Sequence, residues 1–74
     1  MADQAELTQD EISFLSDPQG YADVHSGLGF KAVGYLLITK GMVALLHVDD
    51  THEVYSADLT EMGMAAVRRT AGQP

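Results

Sequence analysis

Apolar positions crowd most densely between Val33 and Ala57. This stretch reads as three consecutive strands, Val33–Thr39, Met42–Val48 and Thr51–Ala57, joined by Lys40-Gly41 and Asp49-Asp50. In the first, Val33, Tyr35 and Leu37 point one way, and Leu36 and Ile38 the other. In the second, Met42, Ala44, Leu46 and Val48 alternate with Val43, Leu45 and His47. Apolar residues on both faces mark a strand covered on both sides. Gly41 can supply the positive φ of a tight hairpin, which puts Leu36 opposite Leu45 and Tyr35 opposite Leu46. The third strand is more polar and reads as an edge.

Two helices flank this region. Thr8 and Glu11 have the spacing of a capping box, and Leu7 and Ile12 that of a hydrophobic staple, so a helix is expected from Gln9 to about Ser16. Asp17-Pro18 should stop it, because the residue before proline disfavours helix. Gln19 to Gly29, with three glycines, reads as a long loop. Asp58 and Glu61 repeat the capping spacing and predict a second helix from Leu59 to about Thr70. Leu59, Met62, Gly63 and Ala66 form its apolar stripe, with Met62 and Met64 expected in the core, and Arg68 and Arg69 suit its C-terminal dipole.

The expected fold class is therefore α+β: a three-stranded antiparallel meander between an N-terminal and a C-terminal helix, one small domain over 1–74. The lead over 1–6 and the tail over 71–74 are expected to be disordered. So little helix cannot hide a sheet that is apolar on two sides. An uncovered sheet face is thus an expected contact surface, for another protein or for a homodimer.

Size and charge narrow the functional classes. At 74 residues the domain buries only about 60% of its unfolded surface, and without cysteine no disulfide or thiolate metal site can staple it. Eleven acids against four bases leave a net charge of −7. That argues against direct binding to nucleic acid, whose phosphates would repel it, and suits docking on a basic protein surface. Six of the eleven acids, Asp3, Glu6, Asp10, Glu11, Asp17 and Asp23, precede any lysine or arginine. The acidic start has no basic n-region, and the run Val33–Val48 is too short and interrupted to span a bilayer, so a cytoplasmic protein without membrane contact is expected.

Candidate chemistry is sparse. His47, Asp49, Asp50 and His52 are the densest group of ligand-type residues. A two-residue turn at Asp49-Asp50 puts His47 across from His52, so that His47, Asp49 and His52 form a candidate metal site, or a pair of histidines that repel on protonation. A three-residue turn would pair His47 with Glu53 instead. Ser26-Gly27-Leu28-Gly29 lacks the strand and the Gly-Lys-Ser/Thr of a phosphate loop. His25 and Ser26 lack the elbow and the orienting acid of a nucleophile pair. No cofactor and no catalysis are expected of a chain with so little room for a dry pocket. The function expected is a non-catalytic binding module, a regulator or inhibitor docking on a larger enzyme such as a polymerase or nuclease, by analogy with small acidic phage and prokaryotic regulators. Its docking surface is expected at Asp10, Glu11, Phe14, Asp17, Tyr21 and Asp23, on the N-terminal helix and the loop after it.

Overall fold

The computed structural model describes residues 7–71. The expected lead over 1–6 and residues 72–74 of the expected tail lie outside them. The element order is α1 (Gln9–Ser16), α2 (Pro18–Thr39), β1 (Val43–Asp49), β2 (Val54–Leu59) and α3 (Glu61–Ala71). The chain is α+β with an antiparallel sheet, but among the described residues the sheet has two strands rather than three. Among the described residues no helix is long and apolar enough to cross a membrane.

α1 matches its sequence signals. Glu11 N–H donates to Thr8 Oγ1 (3.2 Å), and Thr8 N–H donates back to Glu11 Oε1 (2.9 Å). Both orphan donors of the cap are thereby satisfied. Phe14 and Leu15 point into the core, and Leu7 packs against it.

The expected loop Gln19–Gly29 and the expected strand Val33–Thr39 are together the long helix α2. Asp17 ends α1, its N–H donating to the Ser13 carbonyl (3.0 Å). It also starts α2, because its side chain accepts the Gly20 N–H (3.2 Å) and Pro18 takes the first helical position. An acid followed by proline is a helix start as well as a helix stop. The run after Phe30 is apolar on every side, and strand and helix cannot be told apart in such a run by periodicity. Its inward face is Phe30, Val33 and Leu37, a helical spacing.

Gly41 has the positive φ expected of it (+82°), but it caps a helix instead of turning a hairpin. Met42 N–H donates to the Leu37 carbonyl (2.9 Å) and Gly41 N–H to the Ile38 carbonyl (3.0 Å), the paired bonds of a Schellman cap. The hairpin that does form joins β1 to β2, with Val48 opposite Tyr55 and Asp49 opposite Val54. The turn thus spans Asp50 to Glu53, not Asp49-Asp50. Glu53 adopts φ +57° within it. An irregularity between Val43 and Leu45 turns Val43 into the core, where it is 2% exposed.

α3 starts two residues later than the expected Asp58 cap. Thr60 Oγ1 accepts the Gly63 N–H (3.1 Å) and donates to the Gly41 carbonyl (2.6 Å), which locks the helix start onto the α2 cap. Gly63 and Ala66 face inward, whereas Met62 and Met64 are exposed and are not core. The core is built on aromatic rings. Phe14 of α1 lies 4.7 Å from Phe30 of α2, which lies 5.2 Å from Tyr55 of β2.

Close approach of α3 needs Gly63, because a Cβ there would run into the Met42 carbonyl oxygen. Backbone cannot step aside as a side-chain tip can. Gly63→Ala is therefore expected to destabilise the fold by about 2 kcal/mol, despite the better helix propensity of alanine, read as a lower urea midpoint.

Candidate functional site

The sequence-based docking residues divide into two groups. Glu11, Phe14 and Tyr21 are buried, at 1%, 0% and 6% exposure, and offer no contact surface. Asp10, Asp17 and Asp23 are exposed.

The buried Glu11 has a structural role. Its Oε1 serves the α1 cap, while Lys40 Nζ at the end of α2 donates to its Oε2 (2.6 Å). Burial pushes the Glu11 carboxyl up, but the Lys40 ammonium and the Thr8 donors outweigh that and hold it below the ordinary glutamate range. Tyr21 is pushed up by burial and then by the charge of Asp10.

The site that the fold builds is an open cleft of about 370 Å³ beneath the first half of α2. Asp23, Val24, Ser26 and Gly27 line it from the helix, and Asp50, Glu53 and Tyr55 from the hairpin. α2 is bent there, because Ser26 has φ +73° and ψ 168° between the helical stretches 18–25 and 27–39. That region of backbone space suits glycine and strains serine. Gly27 lets the helix approach the hairpin, since a Cβ there would lie 2.5 Å from the Tyr55 hydroxyl.

Gln19 ties the two sides together. Its Oε1 accepts the Tyr55 N–H (2.8 Å), and its Nε2 donates to Asp23 Oδ1 (3.0 Å) and to the Glu53 carbonyl (3.2 Å). Tyr55 OH donates to Asp50 Oδ1 (2.7 Å), and Lys31 Nζ to Asp50 Oδ2 (3.0 Å). These two donors hold the Asp50 carboxyl below its ordinary range. In turn the carboxylate, with burial, pushes the Tyr55 phenol up to about 12. Near neutral pH the phenol therefore stays protonated and acts as a donor, not as a base. His25 stacks on the Tyr21 ring (4.1 Å). The cleft is thus an anionic surface suited to receiving cationic groups.

The candidate metal site is not assembled. His47 lies opposite Ser56, not His52, and its Nε2 is 3.0 Å from Asp58 Oδ2. His52 Nδ1 is 2.9 Å from Asp49 Oδ2 in the turn. The longer turn shifts the register, which parts the two histidines. Among the described residues, no group of three acids or histidines is placed to hold a metal ion.

Sequence reasoning missed Gln19, Ser26, Asp50, Glu53 and Tyr55 as parts of one site. The Gln19–Asp23 pair, four residues apart, was legible as a helical contact. The contacts from Gln19 to Glu53 and Tyr55 cross most of the chain and leave no local signal. No family model, curated protein or solved structure matches this chain.

Two expectations follow. Ser26→Gly should stabilise the fold by about 1 kcal/mol in urea unfolding, because relief of the positive-φ strain exceeds the added unfolded-state entropy of glycine. The Glu11 carboxyl ionises more readily folded than unfolded, so its contribution is full above the ordinary glutamate value of about 4.3 and fades as pH falls through the lower folded value. Wild type should therefore lose more stability between about pH 5 and pH 3 than Glu11→Gln, which starts lower at pH 7. Urea midpoints at each pH check this.

Proposed function

We propose that this chain is a small non-catalytic protein-binding module, which regulates or inhibits a larger enzyme by docking its acidic end on a basic surface. The observation that carries this reading is the convergence of charge at the cleft. Asp23 on α2 and Asp50 and Glu53 on the hairpin turn, remote in sequence, line one opening with Val24 on its rim. Asp17 starts the same helix, and Asp49 adjoins the same turn. Only Asp50 is matched by a lysine, Lys31.

The docking surface is accordingly taken as the cleft and its rim rather than the N-terminal helix. The partner fitted to it carries lysine or arginine around a small apolar patch that meets Val24, which is 77% exposed. Complementary charge of this kind speeds association and selects partners more than it adds affinity. Proteins that handle nucleic acid offer basic grooves, so a polymerase or nuclease is the favoured class of target.

The test is affinity capture from the native host's lysate, identification of the bound protein, and titration of the purified pair. Asp23→Asn combined with Glu53→Gln should weaken binding about tenfold at low salt, with little difference left at about 0.5 M salt. Binding that ignores both the substitutions and salt would remove this reading.

A further inference from the structure

Among the described residues, positive φ occurs at Ser26, Gly41 and Glu53. Gly41 stands at the cap of α2, where the turn needs backbone alone. Ser26 (+73°) and Glu53 (+57°) carry side chains in a region that disfavours a Cβ and that glycine adopts freely. One belongs to α2 and the other to the hairpin turn, yet both line the same cleft from opposite walls. The core explains neither side chain, since both are exposed. The fold uses Glu53 through its carbonyl, which accepts from Gln19 Nε2 (3.2 Å), and Ser26 through its backbone bend. Glycine would serve both positions with less strain. Strain that packing does not need is stored where a side chain has a function.

We infer that Ser26 and Glu53 are the residues with which the cleft grips its partner, and that the group gripped is a lysine ammonium. This rests on the reading of the cleft as a docking surface. An ammonium carries three donors in a tripod and takes single oxygens from separate directions. The Ser26 hydroxyl and the Asp23 carboxylate come from the helix wall, and the Glu53 carboxylate from the hairpin wall. Asp23 Oδ1 already accepts from Gln19 Nε2, and the two Asp50 oxygens accept from Tyr55 and Lys31. The helix wall therefore offers single oxygens, not the paired ones that a guanidinium fork engages. Val24 on the rim gives the methylenes of a lysine stem an apolar rest.

The probe is a capped hexapeptide with two central lysines between leucines, together with its arginine counterpart. Each is titrated into the full chain at low salt and followed by the amide nuclear magnetic resonance shifts of the cleft. Wild type should bind the lysine peptide about threefold more tightly than the arginine one. Ser26→Gly and Glu53→Gly should each raise the urea midpoint and yet weaken the lysine peptide about threefold. Ser26→Ala and Glu53→Gln keep a side chain in the strained region but remove its hydroxyl or its charge. They should weaken the peptide equally without raising the midpoint, which separates the polar groups from loosening of the backbone. Glycine variants that gain stability and bind as wild type does overturn the inference. So do glycine variants with an unchanged midpoint, a Ser26→Ala variant with wild-type affinity, or equal binding of the arginine peptide. If Asp23→Asn still weakens the peptide in those cases, the docking reading stands without this inference. A lysine peptide that shifts no cleft amide of wild type overturns both.

Discussion

The fold hangs on three rings in contact. Phe14, Phe30 and Tyr55 come from α1, α2 and β2, with ring centres 4.7 and 5.2 Å apart along the chain of contacts. A two-stranded hairpin is marginal alone in water and needs a helix to pack on. Phe30 supplies that support and passes it to α1 through Phe14. Aromatic contacts at these separations add about 0.5–1.5 kcal/mol each beyond the burial of their area. In so small a domain that is a large share of a marginal stability.

Around the rings, polar groups and glycines set the spacing of the elements. Glu11 joins the start of α1 to the end of α2 through Lys40, and each of its two carboxylate oxygens meets a donor. Breaking such a pair from one side costs far more than the pair contributes intact, since a buried charge is left behind. Gly34 and Gly63 remove side chains where Leu46 and the Met42 carbonyl come close. These glycines sit inside helices, where they lower propensity, and the fold retains them because a Cβ would hold the layers apart.

The same economy shapes the surface. Twenty-two residues of α2 serve the core on one side and leave an uncharged apolar strip on the other. The acids gather instead where α2 begins and the hairpin turns, with Tyr55 and Lys31 fixing Asp50 among them. One helix thus carries an anionic cleft near its start and an exposed apolar strip beyond its kink.

Local chemistry alone determined α1, its capping box and the presence of an antiparallel hairpin between Met42 and Ala57. It also determined the positive φ of Gly41 and the C-terminal helix to within two residues. The caps and helix ends among these rest on neighbours within about five positions, and the hairpin on alternating apolar runs either side of a polar turn, all of which the sequence displays directly. Only the tertiary structure decided that Val33–Thr39 is helix. Its residues are apolar on every face, and what distinguishes the two states is which partners cover them: Phe14 behind Phe30, and Leu46 against Gly34. The cleft depended on the same packing, because Gln19 meets Glu53 and Tyr55 only once α2 lies along the hairpin. Contacts between residues so far apart are set by the shape of the assembled layers, and no short window of sequence contains that shape.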